Sequence, residues 1–110
     1  MIENYFKPPY YAVIFTTVTI EKIDEEYEKT SKRMIELAKS QKGYLGIDSV
    51  RSGVGITISY WRTLEDIKAW RDNLEHRRAR KLGVEKWYKK YELRICKVEK
   101  AYSFNSNETD

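Results

Sequence analysis

The chain contains a single histidine, His76, and this residue is the first candidate for chemistry. The imidazole is the side chain whose ordinary titration falls near neutral pH, so it serves as a general base or as an axial metal ligand. It lies in a strongly charged run that extends from Glu75 to Lys81. The alternative interpretation is therefore a solvent-exposed histidine on a charged helix face.

The single cysteine, Cys96, excludes a disulfide within the chain, and the sequence offers neither a CxxC pair nor a His/Cys cluster to hold a metal. These observations predict a reduced, metal-free protein of the cytoplasm. Cys96 lies in a predicted strand without a nearby histidine to activate its thiol, so we interpret it as a packing residue.

The composition limits the classes of partner. Nine Tyr, three Trp and three Phe among 110 residues need a core, an interface or a pocket. A net charge of +4 is modest compared with dedicated nucleic-acid binders, so no nucleic acid is expected. Met1 to Pro9 lacks the order of a signal peptide, and no apolar run approaches the roughly 20 residues of a membrane span. A soluble protein without a membrane partner is predicted.

The hydrophobic periodicity predicts four strands and two helices. Asp24 and Thr63 are the expected N-caps, and glycines close both helices. A short Gly-containing connection predicts a hairpin between the middle strands, and the second helix is expected to break near Asn73. The predicted elements are a strand over Tyr10 to Ile20, a helix over Glu25 to Lys42, strands over Tyr44 to Val50 and Val54 to Trp61, a helix from Thr63 to Gly83, and a final strand over Trp87 to Phe104.

This β-α-β-β-α-β order is the ferredoxin-like arrangement, an α+β fold with a four-stranded antiparallel sheet and both helices on one face. We expect one domain over residues 1–110, with its core at about residues 10–102 and a polar tail at residues 103–110. Alternation along the first strand makes both of its faces apolar. A second sheet from an identical chain would cover the face without helices, so a homodimer through the sheet faces is predicted, with a ligand or a nucleic acid as the alternative cover.

Three segments carry a resemblance to a known family: Gly43 to Gly46, Ser59 to Trp70, and His76. Through them the chain resembles the antibiotic biosynthesis monooxygenase family of dimeric α/β barrels, over roughly Tyr10 to Tyr102. The resemblance implies oxidation of polycyclic aromatic substrates without metal or flavin, in a cavity between the sheet and its own helices. Related dimeric-barrel enzymes bind and degrade haem instead.

The resemblance also implies roles for individual residues. A dry pocket that stacks the rings of the substrate would be lined by aromatic side chains, and His76 would take up the substrate proton. Arg62 would pair with an anionic ring substituent or a propionate. The alternatives are that Trp70 only packs its helix onto the sheet and that Arg62 is a charged corner residue. The implied pocket residues are Trp61, Trp70, Tyr11 and Phe15.

The haem-degrading relatives use an Asn from the first strand and a Trp farther upstream of the His than the one found here. The strand over Tyr10 to Ile20 has no Asn. Counted from Trp70, the place that the relatives' His would take is occupied by Arg80. We therefore do not expect a close copy of a haem-degrading enzyme. Haem binding at His76 stays open as an alternative.

The resemblance thus favours a cofactor-independent monooxygenase that acts on a small aromatic or planar hydrophobic molecule. An RNA-recognition module shares the sheet topology, but the stretch from Gly53 to Tyr60 lacks its aromatic third-strand signature. A different class of function, a non-catalytic dimeric binding or assembly module, would use the aromatic residues only for core and interface.

Overall fold

The computed structural model describes residues 6–106 of the chain. Its four strands form one antiparallel sheet in the order β2-β3-β1-β4. All three helices lie on one side of this sheet, so the predicted ferredoxin-like fold is confirmed. The elements in chain order are β1 (Tyr10–Thr19), α1 (Glu25–Lys39), β2 (Tyr44–Ser52), β3 (Val54–Trp61), α2 (Leu64–Asp72), α3 (Leu74–Leu82), a π-helical turn (Gly83–Trp87) and β4 (Tyr88–Val98). None of the described helices is long and apolar enough to cross a membrane.

The predicted N-caps are present. The Asp24 carboxylate accepts the backbone N–H of Tyr27 at 2.9 Å, and the Thr63 hydroxyl accepts that of Asp66 at 3.1 Å. Each cap satisfies an N–H that has no partner within its helix. The same Asp24 oxygen accepts the indole N–H of Trp87 at 3.1 Å, so the start of α1 is tied to the turn before β4.

Several predicted boundaries are wrong. The first helix ends at Lys39 instead of Lys42, because the Ser40 N–H and hydroxyl turn back to the carbonyl of Leu37. The hairpin between β2 and β3 turns at Gly53 alone, whose φ of +80° suits a residue without a side chain.

The final strand was predicted over Trp87 to Phe104, but it begins at Tyr88 and ends at Val98. Within the described part of the chain it pairs in the sheet with β1 alone, and the last pair joins Val98 to Tyr10. Pro8 and Pro9 precede Tyr10 and carry no N–H, so β1 offers no further ladder partners. Trp87 closes the π-helical turn instead, where it is buried.

The helix-facing side of the sheet contains the core. Ala38 of α1 and Ile67 of α2 pack against Trp61 of β3, and helix contacts with the sheet are concentrated on β2 and β3. Along β4 the helix-facing side chains stay about half exposed, and we call them the β4 strip: Tyr91, Leu93 and Ile95.

Among residues 6–106 no helix lies on the opposite side of the sheet, which we call the open face. Its central strand presents Ala12, Ile14, Thr16 and Val18, as the alternation predicted. Neighbouring strands add more apolar side chains, several of them well exposed: Val50, Val54, Ile56 and Ile58. The expectation that a second copy covers this face stays a prediction.

Candidate functional site

Three of the candidate residues form one stack of rings between the sheet and the helices. The ring centroids of Trp61 and Trp70 are 6.1 Å apart, and those of Trp70 and His76 are 3.9 Å apart with planes 11° from parallel. Trp61, at the end of β3, exposes none of its surface, and its indole N–H donates to the Ser59 hydroxyl at 2.9 Å. Trp70 was expected either to pack its helix onto the sheet or to line the site. Its ring contacts both the core and His76.

A break between two helices places His76. Asn73 leaves the helical conformation with a ψ of 127°, so α2 ends and α3 begins around it. The Asn73 side-chain oxygen accepts the backbone N–H of His76 at 3.0 Å and caps α3. The break also leaves the carbonyl of Trp70 without its usual helical partner, and this carbonyl receives the Asn73 N–H at 3.2 Å.

The Trp70 carbonyl also fixes the proton on His76. Nδ1 of His76 lies 3.0 Å from this oxygen, and because a carbonyl only accepts, Nδ1 is the nitrogen that carries the hydrogen. Nε2 of the neutral ring then carries the lone pair, and it has no hydrogen-bond partner among residues 6–106. Burial lowers the pKa of His76 below its usual range, the nearby positive charge of Arg80 lowers it further, and the bond to the Trp70 carbonyl opposes the shift. The arrangement is a neutral imidazole able to accept a proton at Nε2.

An apolar surface adjoins this stack. Val13 and Tyr11 of β1 pack against the same core residues as Trp70, and Val13 lies directly opposite Ile95 of the β4 strip. The strip is about half exposed, so the helix-facing surface beside the stack is open to solvent. It offers a flat apolar ligand a sheet to lie on and aromatic rings at one end.

Phe15 lies at the other end of the strip. It pairs across the sheet with Leu93, and its ring contacts Tyr88 and Tyr91 at centroid distances of 5.6 and 5.5 Å. Burial raises the pKa of Tyr88 to about 12, so this phenol stays protonated throughout the neutral range. Phe15 and Tyr11 are four residues apart on β1, or about 13 Å, so they do not meet in one cluster.

Arg62 is turned toward the N-terminal segment. One guanidinium nitrogen, Nη1, donates to the carbonyls of Lys7 and Pro9 at 3.0 and 3.2 Å. The residue is exposed at the corner between β3 and α2. Its pairing with a substrate anion stays a prediction.

A surface groove of about 370 Å³ runs between α1 and α3. The ion pair between Arg33 and Glu75, at 2.6 Å, crosses it, and none of the six candidate residues lines it. Among residues 6–106, His, Cys and carboxylate side chains do not gather in threes as metal ligands.

Sequence reasoning missed two contributions to the site. The helix break at Asn73 was expected, but its capping bond to His76 was not, although an Asn three residues before the histidine is a recognisable N-cap spacing. The β4 strip was not among the residues that the sequence singled out as candidates. No local signal distinguishes alternation along a strand from a ligand surface.

Comparison with known proteins agrees with this architecture. The model of the antibiotic biosynthesis monooxygenase family matches residues 9–82. YqjZ of Bacillus subtilis (strain 168), described as an uncharacterized protein, is 44% identical over 106 residues, which cover 94% of this chain and 92% of YqjZ.

Solved structures show the same fold at low identity. Rv0793 from Mycobacterium tuberculosis matches with a TM-score of 0.75 and 14% identity, over 86% of this chain and 99% of that one. A Nitrosomonas europaea protein provisionally assigned as an antibiotic biosynthesis monooxygenase matches with a TM-score of 0.73 and 14% identity, over 86% and 95%. These likenesses establish the fold and leave the reaction to the site. Because the family model spans more than half of its length, this chain belongs to the antibiotic biosynthesis monooxygenase family.

Proposed function

We propose that this chain is a cofactor-independent monooxygenase that inserts one atom of O₂ into a small aromatic or planar hydrophobic substrate. The observation that carries the proposal is the neutral His76, with its Nδ1–H held by the Trp70 carbonyl at 3.0 Å and its Nε2 free. Family membership supports a reaction of the monooxygenase type. The aromatic stack and the β4 strip supply the apolar surface that such a substrate needs.

In this mechanism His76 is the general base. Nε2 takes a proton from an acidic C–H or O–H of the bound substrate, and the lowered pKa keeps the imidazole unprotonated and ready at neutral pH. The bond from Nδ1 to the Trp70 carbonyl stabilises the imidazolium that forms. Trp70 also shields one face of the ring from water.

The substrate supplies the electrons. Its anion passes one electron to O₂, and the resulting radical pair joins through a new C–O bond to form a peroxide anion. The His76 imidazolium returns its proton to this anion, which gives a hydroperoxide. The O–O bond then breaks with loss of water, so that a ring CH₂ becomes C=O while O₂ gives one atom to the product and one to water. Trp61 is fully buried and supports Trp70 from behind, whereas Trp70 and the β4 strip contact the substrate.

Haem is the competing ligand at the same residue. A free Nε2 with Nδ1–H bonded to a carbonyl is also the arrangement of many metal-binding histidines. The haem-degrading constellation is not reproduced, however, because Arg80 occupies the place that the relatives' His would take, counted from Trp70. Its guanidinium donates to the Arg71 carbonyl at the protein surface. Substrate oxidation is therefore the function that we favour.

The test is oxygen uptake by the purified protein with a panel of polycyclic phenols, anthrones and quinols, in the presence of a metal chelator. We expect uptake above the uncatalysed rate, with one ¹⁸O atom from labelled O₂ in the product. Replacing His76 by Gln is expected to lower kcat by about 100-fold or more, the usual contribution of a general base. Arg77→Gln, an exposed neighbour on the same helix, is the matched control and is expected to retain activity.

Three results would contradict the proposal. Equal turnover by the wild type and His76→Gln would show that His76 is not the general base. Absence of oxygen uptake with every member of the panel would contradict the proposed oxidation activity. Saturable haem binding at one per chain, lost in His76→Ala and followed by bleaching with a reductant in air, would favour haem degradation.

A further inference from the structure

The side chain of Arg51 lies across the helix-facing side of the sheet, near the end of β2. Arg51 pairs with Gly55 of β3, and Gly55 pairs with Thr17 of β1. Because Gly55 has no side chain, the arginine passes directly over it, and a β-carbon there would collide with the guanidinium. Nη2 of Arg51 donates to the hydroxyl of the buried Thr17 at 2.7 Å. The guanidinium is thereby held over the middle of the sheet, although Arg51 belongs to an edge strand.

The charge of Arg51 is not neutralised within the described part of the chain. None of the ion pairs among residues 6–106 includes it. Its Nη2 also donates to the hydroxyl of Tyr27, on α1, at 3.2 Å. The two bonds use both hydrogens of Nη2, so the hydrogens on Nη1 and Nε remain for another acceptor. Part of the side chain is exposed, so a ligand can reach it.

Two phenols accompany this guanidinium. The Tyr27 hydroxyl accepts from Arg51, so its own hydrogen is left to donate. The hydroxyl of Tyr88, at the start of β4, has no hydrogen-bond partner among residues 6–106. Burial and the nearby Tyr27 raise the pKa of Tyr88 to about 12, and the charge of Arg51 opposes the shift, so this phenol also keeps its hydrogen at neutral pH. We call the guanidinium and the two hydroxyls the Arg51 subsite.

The β4 strip connects the Arg51 subsite with the surface beside His76. The ring of Phe15 contacts that of Tyr88 at a centroid distance of 5.6 Å, and Phe15 pairs with Leu93 of the strip. On the helix side, α3 carries His76 near its start and is followed by Gly83, whose lack of a side chain leaves room for the Tyr88 ring. The helical segment from His76 to Gly83 rises about 10 Å. A fused aromatic molecule of about that length can therefore have one end at the imidazole and the other at the subsite.

We propose that the Arg51 subsite binds a carboxylate at one end of a planar aromatic substrate whose other end reacts beside His76. The inference rests on the proposed function in one respect, that the β4 strip holds the substrate. A carboxylate accepts from Nη1 of Arg51 and from the two phenols, in charge-assisted hydrogen bonds. An uncharged molecule of the same shape makes weaker bonds with these donors or none. The subsite thus narrows the substrate class from planar hydrophobic molecules to aromatic acids.

The test is equilibrium binding of two probes, anthracene-2-carboxylate and anthracene-2-carboxamide, measured by calorimetry under argon. The probes share their rings and differ in charge. We expect the wild type to bind the carboxylate at least about 10-fold more tightly than the amide. Arg51→Gln is expected to lose this preference and to bind the amide as the wild type does. Arg77→Gln, which removes an exposed guanidinium from α3, is the matched control and is expected to keep both affinities.

The phenols are tested by variants that keep their rings. Tyr88→Phe and Tyr27→Phe each remove one donor, so each is expected to weaken binding of the carboxylate by about threefold or more and to leave the amide unaffected. Circular dichroism establishes that each variant is folded. If Arg51→Gln unfolds the chain, these two variants and Arg51→Lys, which keeps the charge and is expected to keep the preference, replace it.

Equal affinity of the wild type for the two probes would overturn the proposal, as would binding of neither. Loss of both probes alike in Arg51→Gln would assign Arg51 a structural role instead. Because O₂ is absent, His76→Gln is expected to retain the preference for the carboxylate. A protein that shows the preference but oxidises nothing would keep the Arg51 subsite and contradict the proposed function, and oxidation without the preference would do the reverse.

Discussion

The imidazole of His76 is held by a single residue, Trp70, on both its face and its edge. The two rings lie 3.9 Å apart and nearly parallel, while the carbonyl of Trp70 accepts from the histidine Nδ1 at 3.0 Å. The side chain of Trp70 therefore sets the plane of the imidazole, and its backbone sets the tautomer. Both restraints depend on the local break between α2 and α3, because an unbroken helix would use that carbonyl for its own ladder.

The helix break gives the first prediction. Asn73→Ala removes the side-chain cap of α3 and is expected to cost about 1 kcal/mol of stability. It also releases His76 from its fixed position, so Nδ1–H and Nε2–H tautomers are expected to mix. Nitrogen-detected NMR of the imidazole measures this without ambiguity, because the chain has one histidine. Asn73→Asp preserves the cap and is expected to retain the wild-type tautomer, and an unchanged spectrum in Asn73→Ala would contradict the positioning role.

The buried imidazole gives the second prediction, on pH. The folded pKa of His76 lies below its ordinary value of 6.5, so the unfolded chain binds the proton more readily. His76 therefore costs no stability above that value, and the free energy of unfolding decreases as the pH falls from about 6.5 toward the lowered pKa. Denaturant unfolding of the wild type and of His76→Gln over this range gives the difference that His76 causes. Parallel pH profiles would show that the imidazole titrates alike in both states.

Two glycines with similar backbone angles give the third prediction. Gly43 and Gly53 have φ values of +82° and +80°, so alanine at either costs about 1–2 kcal/mol of backbone strain. A β-carbon on Gly43 would also collide with the buried Asp66 side chain, whereas one on Gly53 would meet nothing. Thermal unfolding is expected to show a clearly larger loss for Gly43→Ala than for Gly53→Ala. Equal losses would mean that Asp66 moves aside without cost.

The β4 strip gives the fourth prediction. Leu93 is about half exposed, so Leu93→Ser is expected to change stability by less than about 1 kcal/mol. The same change removes apolar surface on which the proposed substrate lies and is expected to raise KM more than it lowers kcat. Val84→Ser, an exposed apolar residue on the π-helical turn, is the control and should leave both constants unchanged. A KM that Leu93→Ser leaves unaltered would remove the strip from the binding surface.

The fold could be predicted because its signals are local. Alternating apolar residues, two capping side chains and glycines at the turns define the strands and helices one by one. The end of β4 could not be predicted in this way, since apolar alternation continues to Phe104 while the pairing partner ends at Tyr10. The end of β4 is set by the end of β1, so the residue preferences of β4 alone do not indicate it.

The site was predicted only in part for a related reason. His76, Trp61 and Trp70 are rare residue types and stand out in a sequence, and the structure brings them together. Arg62 was chosen for its charge, but the position of the N-terminal segment determines what its guanidinium contacts. The bond between the His76 ring and the Trp70 carbonyl involves a backbone atom, which no choice of residue types reveals.

The place of β1 in the sheet has a consequence for how the chain folds. This first strand lies between β3 and the last strand, and the carboxylate of Asp24 reaches the indole of Trp87 across a sequence separation of 63 residues. A nascent chain that has not reached Tyr88 therefore holds its first strand with one edge unpaired and its first cap without the tryptophan. Contacts between such distant segments slow folding, because the loop between them must be ordered before they form. We therefore expect the sheet to be completed only after β4 has been synthesised.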